Sequence, residues 1–179
     1  MQITPTALPD VLLLTPRVFA DERGYFMETY NKADFHKAGI TCEFVQDNQS
    51  KSRKGVLRGL HFQKQFRQAK LVRVTKGEVY DVAVDLRPDS ATFRQWIGEE
   101  LCGDERCSLW IPEGFAHGFL VLSESADVLY KTTDFYSPEH ERCIRWNDPA
   151  IGIDWPLYGD PVLSAKDAKG AAFSASLGL

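Results

Sequence analysis

The chain has 179 residues, 44% of them hydrophobic and 26% charged, with a formal net charge of −4. That length suits one compact domain with a sizeable core, and so mild a charge argues against nucleic acid or an anionic membrane as the main partner. No apolar run is long enough to span a bilayer. The start, Met1-Gln2-Ile3-Thr4-Pro5, lacks the basic and apolar segments of a signal peptide. Cys42, Cys102, Cys107 and Cys143 show no paired zinc spacing and are expected to be reduced. A cytoplasmic protein is expected.

In chain order, Val11-Leu12-Leu13-Leu14 reads as a strand and Arg17-Val18-Phe19 as another short one. Asn31 to Gly39 reads as a short helix with an Asn cap and a terminal Gly. Strand signals then follow around 43–48, 56–62, 70–75, 78–86, 94–101, 107–111, 115–122 and 126–134. Many short strands separated by turns predict a mainly β sandwich, jelly roll or barrel.

Alternation assigns faces within these strands. Tyr80, Val82, Val84 and Leu86 share one face, Asp81 and Asp85 the other. Phe115, His117, Phe119 and Val121 share a face, as do Val128, Tyr130 and Thr132. Lys70 falls with Val72 and Val74, where an ammonium is costly unless it has a partner or a task. Strict alternation puts Arg58 and His61 on opposite faces, but Gly59 between them could mark a bulge that reverses this.

The residues that could carry chemistry follow from these placements. His61 is the leading general base, because imidazole titrates at about pH 6.5. Tyr130 on a strand fits core packing or a general acid facing a cavity. Ser164 followed by Asp167 fits a helix cap, and Asp167 equally fits a carboxylate that orients a histidine. Arg23 and Arg58 could pair with phosphates or make surface ion pairs. The P-x-G-x-x-H spacing of Pro112 to His117 resembles the second motif of cupins, where the histidine is a metal ligand in metal-binding members. Here Gln63 stands two residues after His61, where an H-x-H pair would need histidine. His36 and His140 lie in no convincing strand, so no multi-histidine metal centre is expected.

Nine segments taken in order resemble the dTDP-4-dehydrorhamnose 3,5-epimerase family of sugar-nucleotide epimerases. They are Phe19–Phe26, Phe44–Asn48, Gly55–Gln63, Lys70–Val74, Gly77–Arg87, Trp110–Phe119, Leu129–Lys131, Trp146–Ile153 and Leu163–Ala168. The resemblance implies a cupin-type double-stranded β-helix jelly roll without metal or other cofactor. It implies one domain over 1–179 and a homodimer that exchanges N-terminal strands.

It also implies roles: His61 as base with Asp167 as its partner, Tyr130 as acid on the opposite face of the sugar, and Lys70 as the cation at the ketone oxygen. Gln46, Asn48, Arg58 and His117 resemble substrate contacts, Tyr136 the thymine-stacking residue and Lys166 a phosphate contact. Phe19, Arg23, Phe26 and Glu28 resemble residues supplied near the nucleotide across the dimer. The implied substrate is a dTDP-4-keto-6-deoxy sugar, epimerised at carbons 3 and 5. The competing expectations are a single-site 3-epimerase, a metal-dependent cupin and a non-catalytic sugar-nucleotide module.

Overall fold

A computed structural model describes residues 1–174. Its strands are β1 (Gln2–Pro5), β2 (Leu12–Thr15), β3 (Val18–Asp21), β4 (Gly24–Met27), β5 (Gln46–Arg53), β6 (Leu57–Gln63) and β7 (Lys70–Lys76). They continue as β8 (Glu78–Asp85), β9 (Trp96–Cys102), β10 (Ser108–Ile111), β11 (Phe115–Val121), β12 (Ser125–Thr132) and β13 (Glu141–Cys143). A helix α1 (Lys32–Lys37) follows β4, and a 3-10 turn covers Asp167–Lys169. The order β1-β2-β10-β7-β12-β5 forms one sheet and β13-β6-β11-β8-β9 a second, with β3 and β4 as a separate hairpin. Neighbouring strands in both sheets run antiparallel, the arrangement of a cupin jelly roll.

Among the described residues, three apolar clusters hold the layers. Val72, Val74, Val79, Phe115, Phe119 and Val128 fill the space between the sheets. Leu57, Leu60, Phe62, Val82, Val84 and Leu120 point the other way, under Ile144, Ile151 and Trp155 of the C-terminal segment. The five-stranded sheet is therefore covered on both faces, which explains why every residue of β11 is buried. On the outer face of the six-stranded sheet, Leu14, Leu71 and Trp110 pack with Phe35 of α1. That helix starts as the sequence predicts: the Asn31 side chain accepts from the Ala33 and Asp34 amides.

The strand expected over 43–48 forms instead over Gln46–Arg53. Its inward positions Gln46, Asn48, Ser50 and Ser52 are all polar, so it carries no hydrophobic alternation to mark its extent. β1 and β13 have only four and three residues, and periodicity did not register them.

Where the chain leaves β8, the buried Asp85 carboxylate organises the turn. It accepts from Arg87 Nε at 2.9 Å, Arg87 Nη2 at 2.7 Å, Ser90 Oγ at 2.6 Å and Thr92 Oγ1 at 2.7 Å. Burial opposes its charge, but these donors prevail and lower its pKa to about 2. A depressed carboxylate adds stability that is complete above the ordinary value near 4 and lost as the pH falls toward about 2. Asp85→Asn is expected to cost roughly 2–3 kcal/mol at pH 7, a fall in Tm of about 5–10 °C, and to flatten the acid limb of stability. An unchanged midpoint in thermal unfolding at pH 7 would contradict this.

Candidate active site

A cavity of about 370 Å³ opens between the sheets. One wall is the six-stranded sheet, through Gln46, Asn48 and Ser50 of β5, Lys70 of β7 and Tyr130 of β12. The other is the five-stranded sheet, through Arg58 and His61 of β6, His117 and Phe119 of β11 and Glu141 of β13. Gln68, Tyr136 and Lys166 also line it.

The register of β6 settles the direction of Arg58. Its pairing with β11 runs His117 to His61 and then Phe119 to Arg58, so β6 carries one extra residue between the two pairs. Leu57 and Leu60 both join the outer cluster, while Arg58 and His61 both face the cavity. Gly59 sits in this bulge at φ +122°, and a Cβ there would lie 2.6 Å from the Gly118 Cα. Only glycine fits.

His61 Nε2 lies 2.6 Å from Asp167 Oδ1. A carboxylate only accepts, so Nε2 carries the proton and Nδ1 keeps the lone pair. Ser164 Oγ donates to Asp167 Oδ2 at 2.7 Å and accepts from the Asp167 amide at 3.1 Å. The cap geometry and the pairing with histidine thus coexist in one residue. Burial works against the Asp167 charge, yet the hydrogen bonds from His61 and Ser164 hold its carboxyl below the usual carboxylate range.

Facing this pair, Tyr130 has its phenol pKa raised, chiefly by burial, so it stays protonated at neutral pH. Lys70 is buried opposite Thr132, and burial lowers its pKa to about 8 against the attraction of Asp81. His117 Nε2 is 2.9 Å from both oxygens of the fully buried Asp81. Burial also lowers the His117 pKa despite Asp81, so the ring is neutral at pH 7.

At the mouth, Glu141 and Gln63, to which the sequence gives no role, hold the rim residues and loops. Glu141 accepts from Lys166 Nζ at 2.5 Å and from the Tyr136 hydroxyl at 2.7 Å. The Gln63 amide donates to the Phe66 and Phe135 carbonyls and accepts from the Ser137 amide at 2.7 Å. It ties both rim loops to the strand that carries His61. Gln46 accepts from the Tyr136 amide at 3.0 Å and donates to Asn48 at 2.9 Å. Alternation could have found Asp81, which faces the same side as His117. Glu141 sits on a strand of three residues and gave no such signal. Phe19, Arg23, Phe26 and Glu28 do not line this cavity.

The arrangement offers a lone pair on one wall, a phenol proton on the other and a cation between β10 and β12. This suits removing a weakly acidic proton from one side of a bound ring and returning it from the other.

The family model described as dTDP-4-dehydrorhamnose 3,5-epimerase matches residues 5–175. The chain belongs to that family. It is 60% identical over 175 residues to the dTDP-4-dehydrorhamnose 3,5-epimerase of Pseudomonas aeruginosa, with 97% of each chain covered. The Escherichia coli enzyme of the same name is 53% identical over 171 residues, covering 94% of this chain and 92% of that one. Among solved structures, the dTDP-6-deoxy-D-glucose-3,5-epimerase of Legionella pneumophila in complex with dTDP-4-keto-L-rhamnose superposes with a TM-score of 0.95. It is 49% identical, with 98% of this chain and 96% of that one covered. A 3'-monoepimerase of Streptomyces bikiniensis in complex with dTDP-quinovose also shares the fold, at a TM-score of 0.87 and 28% identity over 94% of this chain and 86% of that one. Members of this fold thus epimerise at one carbon or at two, and the 3,5-epimerases are the nearer relatives among these.

Proposed function

We propose that the cavity epimerises dTDP-4-dehydro-6-deoxy-D-glucose at carbons 3 and 5, giving dTDP-4-dehydro-L-rhamnose. The observation that carries this reading is the opposition of the His61–Asp167 pair and Tyr130 on facing walls, with Lys70 beside them. His61 Nδ1 takes the proton from the carbon next to the ketone, and Asp167 stabilises the imidazolium that forms. The electron pair moves to the ketone oxygen, where the Lys70 ammonium receives the developing negative charge. Tyr130 then protonates the carbon from the opposite face, which inverts it. The same cycle on the other side of the ketone completes the reaction.

A positioned base contributes about 10²–10⁴-fold and an oxyanion donor about 10²–10³-fold. Each is too small alone for so weak a carbon acid, so the base and the cation act together. At the mouth, Tyr136 stacks on the thymine, Lys166 contacts a phosphate, and Arg58, Gln46, Asn48 and His117 contact the substrate. Glu141 holds Tyr136 and Lys166 in place for this.

The test is proton exchange in heavy water followed by NMR. Deuterium is expected at carbons 3 and 5. Incorporation at carbon 3 alone would make the chain a 3-epimerase. Tyr130→Phe is expected to retain exchange and lose inversion; full product yield from that variant would remove its acid role.

The chain acts as one domain in a homodimer. Phe19, Tyr25 and Phe26 are 51%, 56% and 69% exposed on the β3–β4 hairpin, which joins neither sheet. Apolar residues so placed suit burial against a second copy, with Phe19, Arg23, Phe26 and Glu28 completing the partner's nucleotide site. Phe26→Asp is expected to shift sedimentation toward the monomer and to weaken dTDP binding. Retention of the dimer would contradict strand exchange through this hairpin. No helix among the described residues is long and apolar enough to cross a membrane, and a cytoplasmic location fits a nucleotide-linked substrate.

A further inference from the structure

Cys143 stands directly across from His61 in the pairing of β13 with β6. Two residues before it on β13, Glu141 lines the cavity, so alternation turns Cys143 to the same side. Its Sγ is 3.8 Å from Asp167 Oδ1, the oxygen that also receives His61 Nε2 at 2.6 Å. One sulfur, one imidazole nitrogen and one carboxylate oxygen thus lie within 4.8 Å of one another. None of the proposed chemical steps uses the thiol.

We infer that His61, Cys143 and Asp167 form an inhibitory site for a soft divalent cation such as zinc, cobalt or cadmium. The inference rests on His61 being the base. Tetrahedral zinc with one ligand of each kind has ligand–ligand edges of roughly 3.3–3.6 Å. The sulfur–oxygen edge is already close to this, and the nitrogen–oxygen edge needs to open by about 0.7 Å. The fourth position is left for water. Magnesium and calcium prefer six or more oxygen ligands and are not matched by this set. Cys143 and Asp167 would together bring two negative charges, which neutralise the ion.

Binding stops the proposed reaction without any redox step. The thiol releases its proton to solvent and the sulfur bonds the metal. The metal also bonds His61 Nε2, displacing the proton there, and the neutral ring carries its proton on Nδ1 instead. The lone pair that would attack the substrate is then gone, and the link from His61 to Asp167 is broken. The thiol resists giving up its proton: burial and the neighbouring Asp167 carboxylate push its pKa up to about 12. In the absence of metal it is therefore inert toward oxidants and alkylating agents that need a thiolate.

The full chain without substrate is titrated with cobalt(II), and the near-ultraviolet thiolate-to-metal charge-transfer band is followed. One band equivalent per chain is expected in the native protein. Cys143→Ser keeps the size and polarity of the side chain, and it and His61→Gln should both lose the band. No band, or a band that survives in Cys143→Ser, overturns the site. Zinc should also stop turnover, and Cys143→Ser should raise the concentration needed by about 10-fold or more, since even outer partners of a metal matter that much. A cobalt band with turnover undiminished by zinc would overturn the inhibition and place the error in the role of His61. Loss of the band in the variants separates that outcome from a missing site.

Discussion

His61→Ala is expected to lower kcat at least about 10³-fold while dTDP binds within roughly twofold of the native affinity. The loss should sit near the top of the range for a general base, because the substitution removes more than a proton acceptor. It also leaves the buried Asp167 without one of the two side-chain donors that hold its charge, and it empties the wall facing Tyr130. The nucleotide contacts proposed above lie elsewhere, at Tyr136 and Lys166, whose hydrogen bonds to Glu141 do not involve the imidazole. Calorimetry with dTDP and turnover assays with the sugar nucleotide separate the two effects. Turnover near the native rate would remove His61 from the mechanism, and a parallel loss of dTDP affinity would indicate a collapsed site.

The second large effect is expected at Lys70. Lys70→Met keeps most of the side-chain volume and removes the charge, and kcat should fall about 10²–10³-fold. Stability should hold or rise, because an ammonium buried in a wall is costly to desolvate. The native enzyme should also lose kcat/KM as the pH rises through about 8, where Lys70 gives up its proton. Tyr130 cannot account for that limb, since burial raises its pKa. In Lys70→Met the alkaline limb near pH 8 should disappear. If it persists, another group titrates there and the cation at the ketone oxygen must be sought elsewhere.

Much of this architecture is legible in the sequence, and each part that is not has its own physical cause. Alternation placed Lys70, His117 and Tyr130 on inward faces, because each shares its strand face with Val or Phe. The same rule failed on β5, whose inward row is Gln46, Asn48, Ser50 and Ser52. A strand that lines a polar cavity lacks the apolar pattern that reveals strands, so function erased the signal of structure. Arg58 was ambiguous for a different reason. The extra residue at Gly59 is a feature of pairing between β6 and β11, and a single strand's sequence contains only a hint of it. In sequence Asp167 fits a cap and a partner of histidine equally, and Ser164 and His61 each bind one of its oxygens. Glu141 needed the third dimension, since its two partners are 5 and 25 residues away.

The bulge in β6 gives that strand two phases. Upstream of Gly59 the even position, Arg58, faces the cavity, and downstream the odd position, His61, does. A substitution scan of this segment read in one phase would misassign half of it, taking Leu60 for a lining residue and His61 for packing. A change of length here acts on spacing rather than on direction: losing a single residue at the bulge would restore regular alternation and leave Arg58 and His61 both inward, two positions apart and opposite Phe119 and His117.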